Sequence, residues 1–157
     1  MSDAGLGGEA ALSIAFGSPF LLILCARSKA RAEPVAENIL ARYPAVKVQI
    51  LGCDLGSLDS IRKAAKDVKV EIDVLINNAA VMACPYSTTS DGFETQFGVA
   101  HLGHFLLTNL LLRDGKIKDG GRVVNVSSDG HQLGPVRFDD PGFKVGSSLT
   151  RDSLGSA

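Results

Sequence analysis

Tyr43 and Lys47 stand four residues apart in "YPAVK" (43–47). On a helix that spacing would put a phenol and an ammonium on one face, and a positioned group of tunable pKa is what proton transfer requires. Pro44 argues against the pair, because the residue ahead of a proline is pushed out of the helical region toward extended geometry. The stretch reads as the exit of a helix and the entry to a strand, so Tyr43 and Lys47 are not expected to share a face. Ser128, Asp129 and His131 are the residue types of a serine hydrolase. They are close neighbours at a strand end, so their side chains diverge, and no Gly-x-Ser-x-Gly elbow is present. His101 and His104 have a spacing that can share a metal ion, but no acidic or cysteine partner is near. Packing and capping are the expected roles. Cys25, Cys53 and Cys84 are odd in number and widely spaced. They are expected as small buried apolar residues in a reducing compartment rather than as disulfides or metal ligands.

The elements that must position any site alternate between helix and strand. "GLGGEAALSIAFG" (5–17) reads as a helix opening in a Gly-rich turn, and "FLLILCA" (20–26) as a strand buried on both faces. "SKARAEPVAENILARY" (28–43) is an amphipathic helix. Pro34 is tolerable only in a first turn, so the helix should start near Ala32 or kink at the proline. "VKVQILGCDL" (46–55) is a strand with a polar turn, and "SLDSIRKAAKDV" (57–68) a helix with Ser57 as N-cap. "IDVLINNAA" (72–80) is another buried strand. One long helix is expected from Asp91 to Leu112, and "GGRVVNVSS" (120–128) is a strand after a Gly-Gly turn. No periodic segment follows Asp129.

Strands joined by helical crossovers imply an α/β fold, a doubly wound parallel sheet with helices on both faces. Such sheets bind ligands at the carboxyl ends of their strands. Polar residues gather there: Arg27, Asp54, Asn77 with Asn78, and Ser127 with Ser128. One domain is expected over 1–145, followed by an irregular polar tail over 146–157. With 45% hydrophobic and 21% charged residues and a formal net charge of -1, the chain has an ordinary globular composition. Its cations are scattered, which argues against nucleic acid. The longest apolar runs are too short to span a bilayer. No secretion signal is visible, and a cytoplasmic setting is expected.

Six strings in order, "GLGGEAAL", "LILCARS", "CDLGSLDSI", "VLINNAAVM", "FGVAHLGHFLLTNLLL" and "RVVNVSSDGH", resemble the short-chain dehydrogenase/reductase family. The resemblance is closest to its retinol-dehydrogenase-like and WW-domain-oxidoreductase-like branch, and it runs from about Gly5 to Phe143. It implies a Rossmann-like fold and NADP(H)-dependent hydride transfer between a small-molecule carbonyl and an alcohol. Gly5 and Gly7 match the end of the family's phosphate turn, where a helix N-terminus favours negative charge. Arg27 falls where the family places a cation against the 2′-phosphate of NADP, and Asp54 with Leu55 where it contacts adenine. Asn78, Ala79 and Ala80 belong to the Asn-Asn-Ala-Gly signature, which borders the cofactor and, with Asn77, holds the central sheet together. Here Ala80 replaces the glycine. Ser128 matches the serine that hydrogen-bonds the substrate carbonyl. The long 91–112 helix pairs subunits in the family and implies a homodimer.

The same resemblance exposes departures. The family carries a Tyr and a Lys one helical turn apart about a dozen residues after the serine, and no tyrosine follows Ser128. Ala100 stands where the family has an Asn that bends the helix and holds a water of the proton relay, and alanine is expected to do neither. The fold is therefore expected to be incomplete, lacking the first strand, which the family places between 20–26 and 72–77, and the catalytic Tyr/Lys helix. A truncated or mispredicted gene product, with a missed first exon and a retained intron, would explain both ends. The expected activity is that of a catalytically impaired oxidoreductase fragment, with a non-catalytic dinucleotide-binding or dimerisation module as the alternative.

Overall fold

The structure is a computed structural model and describes residues 5–134 and 136–142; the expected tail over 146–157 lies outside the described residues. Helix α1 (Leu6–Phe16) leads into β1 (Leu21–Ala26), α2 (Lys29–Arg42), β2 (Lys47–Gly52), α3 (Leu58–Asp67) and β3 (Ile72–Asn77). A short helix α4 (Thr95–Phe97) runs through a π-helical turn (Gly98–Gly103) into α5 (His104–Arg113). Strand β4 (Ile117–Asn125) and a 3₁₀ turn (Asp129–Leu133) follow. This is the expected α/β, Rossmann-like arrangement of parallel strands and crossover helices.

The strands form two separate parallel pairs, β1 with β2 and β3 with β4. Leu22 aligns with Val48 in the first and Ile76 with Val124 in the second. Among the described residues no ladder joins β1 to β3, so each keeps an open edge. One apolar layer nevertheless runs under both pairs. Leu51 within β2 and Cys53 just after it, Ile61 and Ala64 of α3, and Leu107 and Leu111 of α5 form it, with Ile23 and Leu75 packed against it. The alternation of strand side chains sends Leu22, Leu24 and Val48 the other way, against Ala11, Ala15 and Ile39 of α1 and α2.

Several boundaries differ from the sequence reading. Helix α2 starts at Lys29 and carries Pro34 in its interior, because Ala32, Ala36 and Ile39 bury a continuous face that offsets the hydrogen bond lost at the proline. The long helix starts at Thr95, not Asp91. Buried Glu94 caps it, its carboxylate accepting from the N–H groups of Gln96 and Phe97 at 2.9 and 2.7 Å. Asp91 serves a different helix, accepting from Leu58 N–H at the start of α3 at 2.9 Å. Gly120, with φ +77, lies inside β4 rather than in a turn before it. The ladder absorbs it as a register shift opposite Ile72 and Val74, and the strand stops at Asn125. Ser57 caps α3 as expected, accepting from Ser60 N–H at 3.3 Å.

Candidate functional site

The carboxyl ends of the strands converge. Cys53 N–H donates to Ala26 O at 2.9 Å, and Val126 N–H to Asn77 O at 3.0 Å, so Arg27 sits beside Asp54 and Asn78 beside the exit of β4. The start of α1 closes on this edge. A Cβ built on Gly7 would lie 2.9 Å from Asn78 Nδ2, a distance real Cβ atoms do not keep. A side chain at position 7 would have to push the Asn78 amide aside for α1 to approach β3 this closely. Gly5 is exposed, with nothing within 4 Å of its Cβ direction, so its backbone is open to a ligand at the helix N-terminus.

Asp54 shapes its own turn. Its Oδ1 accepts from Gly56 N–H at 2.9 Å, while its N–H donates to Ser60 Oγ at 2.9 Å. Leu55 is held from the far side, since a Cβ on Gly103 would come within 2.6 Å of Leu55 O. Arg27 is exposed, and no carboxylate of the described residues pairs with it. Ala79 and Ala80 are exposed, and Asn78 is half-buried. Ser128 is exposed, and its Oγ accepts from Gly130 N–H at 3.1 Å, capping the 3₁₀ turn. Thus Gly7 and Asn78 touch, Arg27 and Asp54 leave adjacent paired strands, and Ser128 emerges three residues past the Asn77–Asn125 pair.

Beneath the edge is a polar knot. Buried Asn77 donates through Nδ2 to Asn125 Oδ1 at 2.8 Å and to Thr108 Oγ1 at 3.0 Å. It ties β3, β4 and α5 together directly below Asn78. Asn125 and Thr108 were not among the residues singled out from sequence. The available signal was an asparagine inside the apolar run "VVNV".

A family profile described as short chain dehydrogenase matches residues 2–138. The chain belongs to the short-chain dehydrogenase family. Retinol dehydrogenase 13 of Homo sapiens is 45% identical over 142 residues, covering 88% of this chain and 43% of that protein; the chain thus spans under half the length of this relative. A solved structure of a putative uncharacterized protein from Mycobacterium paratuberculosis is 39% identical. It matches with a TM-score of 0.79 over 92% of this chain and 50% of that one. A short-chain dehydrogenase from Sphingobium yanoikuyae, solved in complex with NADPH, shares the fold at 24% identity. Its TM-score is 0.61 over 80% of this chain and 50% of that one.

Against the short-chain dehydrogenase pattern, "YPAVK" is not a proton-transfer pair. Tyr43 ends α2, with its ring edge-on to Phe16 at 6.5 Å, and Lys47 begins β2 with its ammonium 4.3 Å above the Phe20 ring. Both lie at the amino ends of the strands, away from Ser128. The bend expected to be lost with Ala100 is present: Ala100 lies within the π-helical turn. The glycines at both ends of that turn are closely packed. A Cβ on Gly98 would approach Thr89 Cγ2 to 2.6 Å, and one on Gly103 would approach Leu55 O. The Ala100 carbonyl accepts from the His104 ring at 3.0 Å. A carbonyl can only accept, so His104 carries its proton on Nδ1. His101 stacks between Phe97 and Phe105, with centroids 5.2 and 6.3 Å away.

The cysteines also divide. Cys53 is buried, and burial, with smaller contributions from Cys25 and Asp54, pushes its thiol up to about 12. Cys25 is exposed by its side-chain surface and Cys84 is intermediate, although the atoms around the Cys25 sulfur are close enough for burial to push its thiol up. The expectation of three buried thiols holds for Cys53 alone.

Proposed function

We propose that the chain is the dinucleotide-binding part of an NADP(H)-dependent oxidoreductase that interconverts a small carbonyl compound and its alcohol. The contact of Gly7 with Asn78 carries this reading, since it brings a small-residue helix N-terminus to the ligand edge of the sheet. The residues fit a dinucleotide. Gly5 offers open backbone at the start of α1, and Gly7 keeps the approach free of side-chain bulk. Exposed Arg27 offers a cation at the end of β1, suited to a 2′-phosphate. Asp54 and Leu55 would face the adenine, and Asn78, Ala79 and Ala80 would border the nicotinamide end. The bound cofactor supplies or accepts the hydride. Ser128 would orient the oxygen of the substrate, where a hydroxyl stabilises developing charge.

The names of the curated relatives and the NADPH in the Sphingobium structure support the substrate class and the cofactor. Retinol and retinaldehyde are the first pair to test. The chain of 157 residues has no tyrosine after Ser128 to act as general acid/base, and turnover by this chain alone is expected to be at or near background. Ala100→Asn alone should not restore it, because that tyrosine would still be missing. A cytoplasmic setting is part of the same reading, supported by thiols that stay unpaired among the described residues. Among those residues no helix is long and apolar enough to cross a membrane.

The deciding experiment is thermal unfolding of the purified chain with excess NADPH or NADH. A cooperative melt raised by NADPH more than by NADH, with the preference lost in Arg27→Glu, would support the reading. No shift with either nucleotide would remove it, and NADPH-dependent reduction of retinaldehyde would overturn the expectation of impaired catalysis.

The second reading is a non-catalytic module that associates through the long helix. The favouring observation is the stripe Phe97, His101, Phe105 and Leu112, in which Phe105 is 62% and Leu112 52% exposed. Sedimentation should show a dimer that Phe105→Glu dissociates; a monomer at all concentrations would discard this reading.

A further inference from the structure

The amino ends of β1 and β2 carry an apolar surface for which the dinucleotide reading has no use. Helix α1 runs for 11 residues, about 16 Å, from the Gly7–Asn78 contact to Phe16. At that far end Phe16 is 77% exposed and, across the turn into β1, Phe20 is 75% exposed. Phe16 meets the Tyr43 ring edge-on and Lys47 stands over the Phe20 ring, so both rings are positioned yet largely uncovered. Beside them an open groove of about 340 Å³ runs between α1 and the end of α2, lined by Glu9, Leu12, Ser13, Phe16, Arg42 and Tyr43. Positions 9, 12, 13 and 16 follow the spacing of a single helix face.

The groove carries both signs of charge. Glu9 and Arg42 are exposed, and among the described residues neither takes part in an ion pair. An anionic or a cationic partner would match one of them and oppose the other. A second copy of the chain matches both, because an isologous two-fold contact requires a self-complementary patch. Turning a second α1 antiparallel onto the first, about Leu12 and Ser13, brings Glu9 of one copy to the Phe16 end of the other, where Arg42 also stands. Ser13 is small, so the two helices can approach closely. The aromatic rings supply the apolar area on which interface energetics rest.

We propose that this face is an interface between two copies of the chain. Helix α1 packs antiparallel on α1, Phe16 of each copy sits in the groove of the other, and Glu9 pairs with Arg42 in both directions. The face is separate from the Phe97–Leu112 stripe, and it lies away from Gly7, Arg27 and Asn78, so the nucleotide edge stays open. One helix face and two strand ends make a contact at the small end of specific interfaces, so the dimer dissociates on dilution.

The test is sedimentation of the 157-residue chain carrying Phe105→Glu, which removes only association through the long helix. The expected result is a concentration-dependent dimer. Glu9→Arg or Arg42→Glu should each weaken association by about a hundredfold or more, since either one sets like charges against each other twice in the interface. An equimolar mixture of the two variants should dimerise again, because each supplies the sign the other lacks. Glu9→Arg with Arg42→Glu in one chain should do so by itself. Both positions are exposed, so the variants keep the fold, and thermal unfolding of the dilute chains checks this. A monomer at every concentration would overturn the proposal. So would a dimer that the single reversals leave intact, or one that neither the mixture nor the double reversal restores. Nucleotide binding enters none of these readouts, so the interface and the proposed function stand or fall separately.

Discussion

The β1–β2 pair and the β3–β4 pair are built from similar apolar strands but end in different surroundings. The first is covered on both sides, by α1 and α2 on one face and by α3 on the other. The second shares the α3–α5 layer on one face. On the other, Val74, Ile76 and Val124 remain 49%, 36% and 43% exposed. What binds the second pair instead is polar: the Asn77–Asn125–Thr108 knot and the Lys118–Asp73 ion pair. A strand's side-chain pattern states that a face can be buried, and only the neighbouring helices decide whether it is.

The comparison can be broken most directly by truncations to alanine at a buried and at an exposed apolar position. Ile61→Ala empties a fully buried position in the shared layer and should cost about 2–5 kcal/mol, seen as a lower denaturant midpoint. Val74→Ala on the bare face should cost well under about 1 kcal/mol. Equal losses would mean that the bare face is covered in solution. Next in size is Asn77→Ala, which strips two partners from a buried amide site and should cost about 1–3 kcal/mol. Its exchange signature should loosen β3 and β4 while leaving β1 and β2 protected.

Gly7→Ala sharpens the contrast at the ligand edge. The new methyl must push the end of the Asn78 side chain aside, at a cost of about 0.5–1.5 kcal/mol, and NADPH should lose its stabilising effect more than the fold loses stability. The smallest effect is a pH slope. Cys53 has its folded pKa raised to about 12 from 9.0, so the neutral thiol favours the folded state. That contribution is intact below pH 9 and is lost as pH rises toward 12, because the unfolded chain ionises first. Cys53→Ala should flatten this part of the stability profile, and an unchanged slope would assign it to other groups.

The strand-end placement of the candidate residues was legible from local chemistry. Arg27, Asp54, Asn78 and Ser128 all follow strands because polar residues end apolar runs, and parallel strands bring such ends together. Pro44 alone was enough to separate Tyr43 from Lys47. The start of the long helix was not legible. Asp91 and Glu94 are both plausible caps in sequence, and a contact with Leu58, distant along the chain, claims Asp91. The bend at Ala100 was also misread, because an alanine is compatible with it in a turn flanked by Gly98 and Gly103, which pack against Thr89 and the Leu55 carbonyl.

The order of elements, the parallel sense of the strands and the edge on which a ligand site would form were determined by the sequence itself, through periodicity, turn residues and the rule that crossovers join parallel strands. The pairing of those strands into two sheets, the closeness of Gly7 to Asn78, and the burial of Cys53 beside an exposed Cys25 were decided only by tertiary structure. Each depends on the distance between segments far apart in the chain, and no local pattern of residue types encodes that distance.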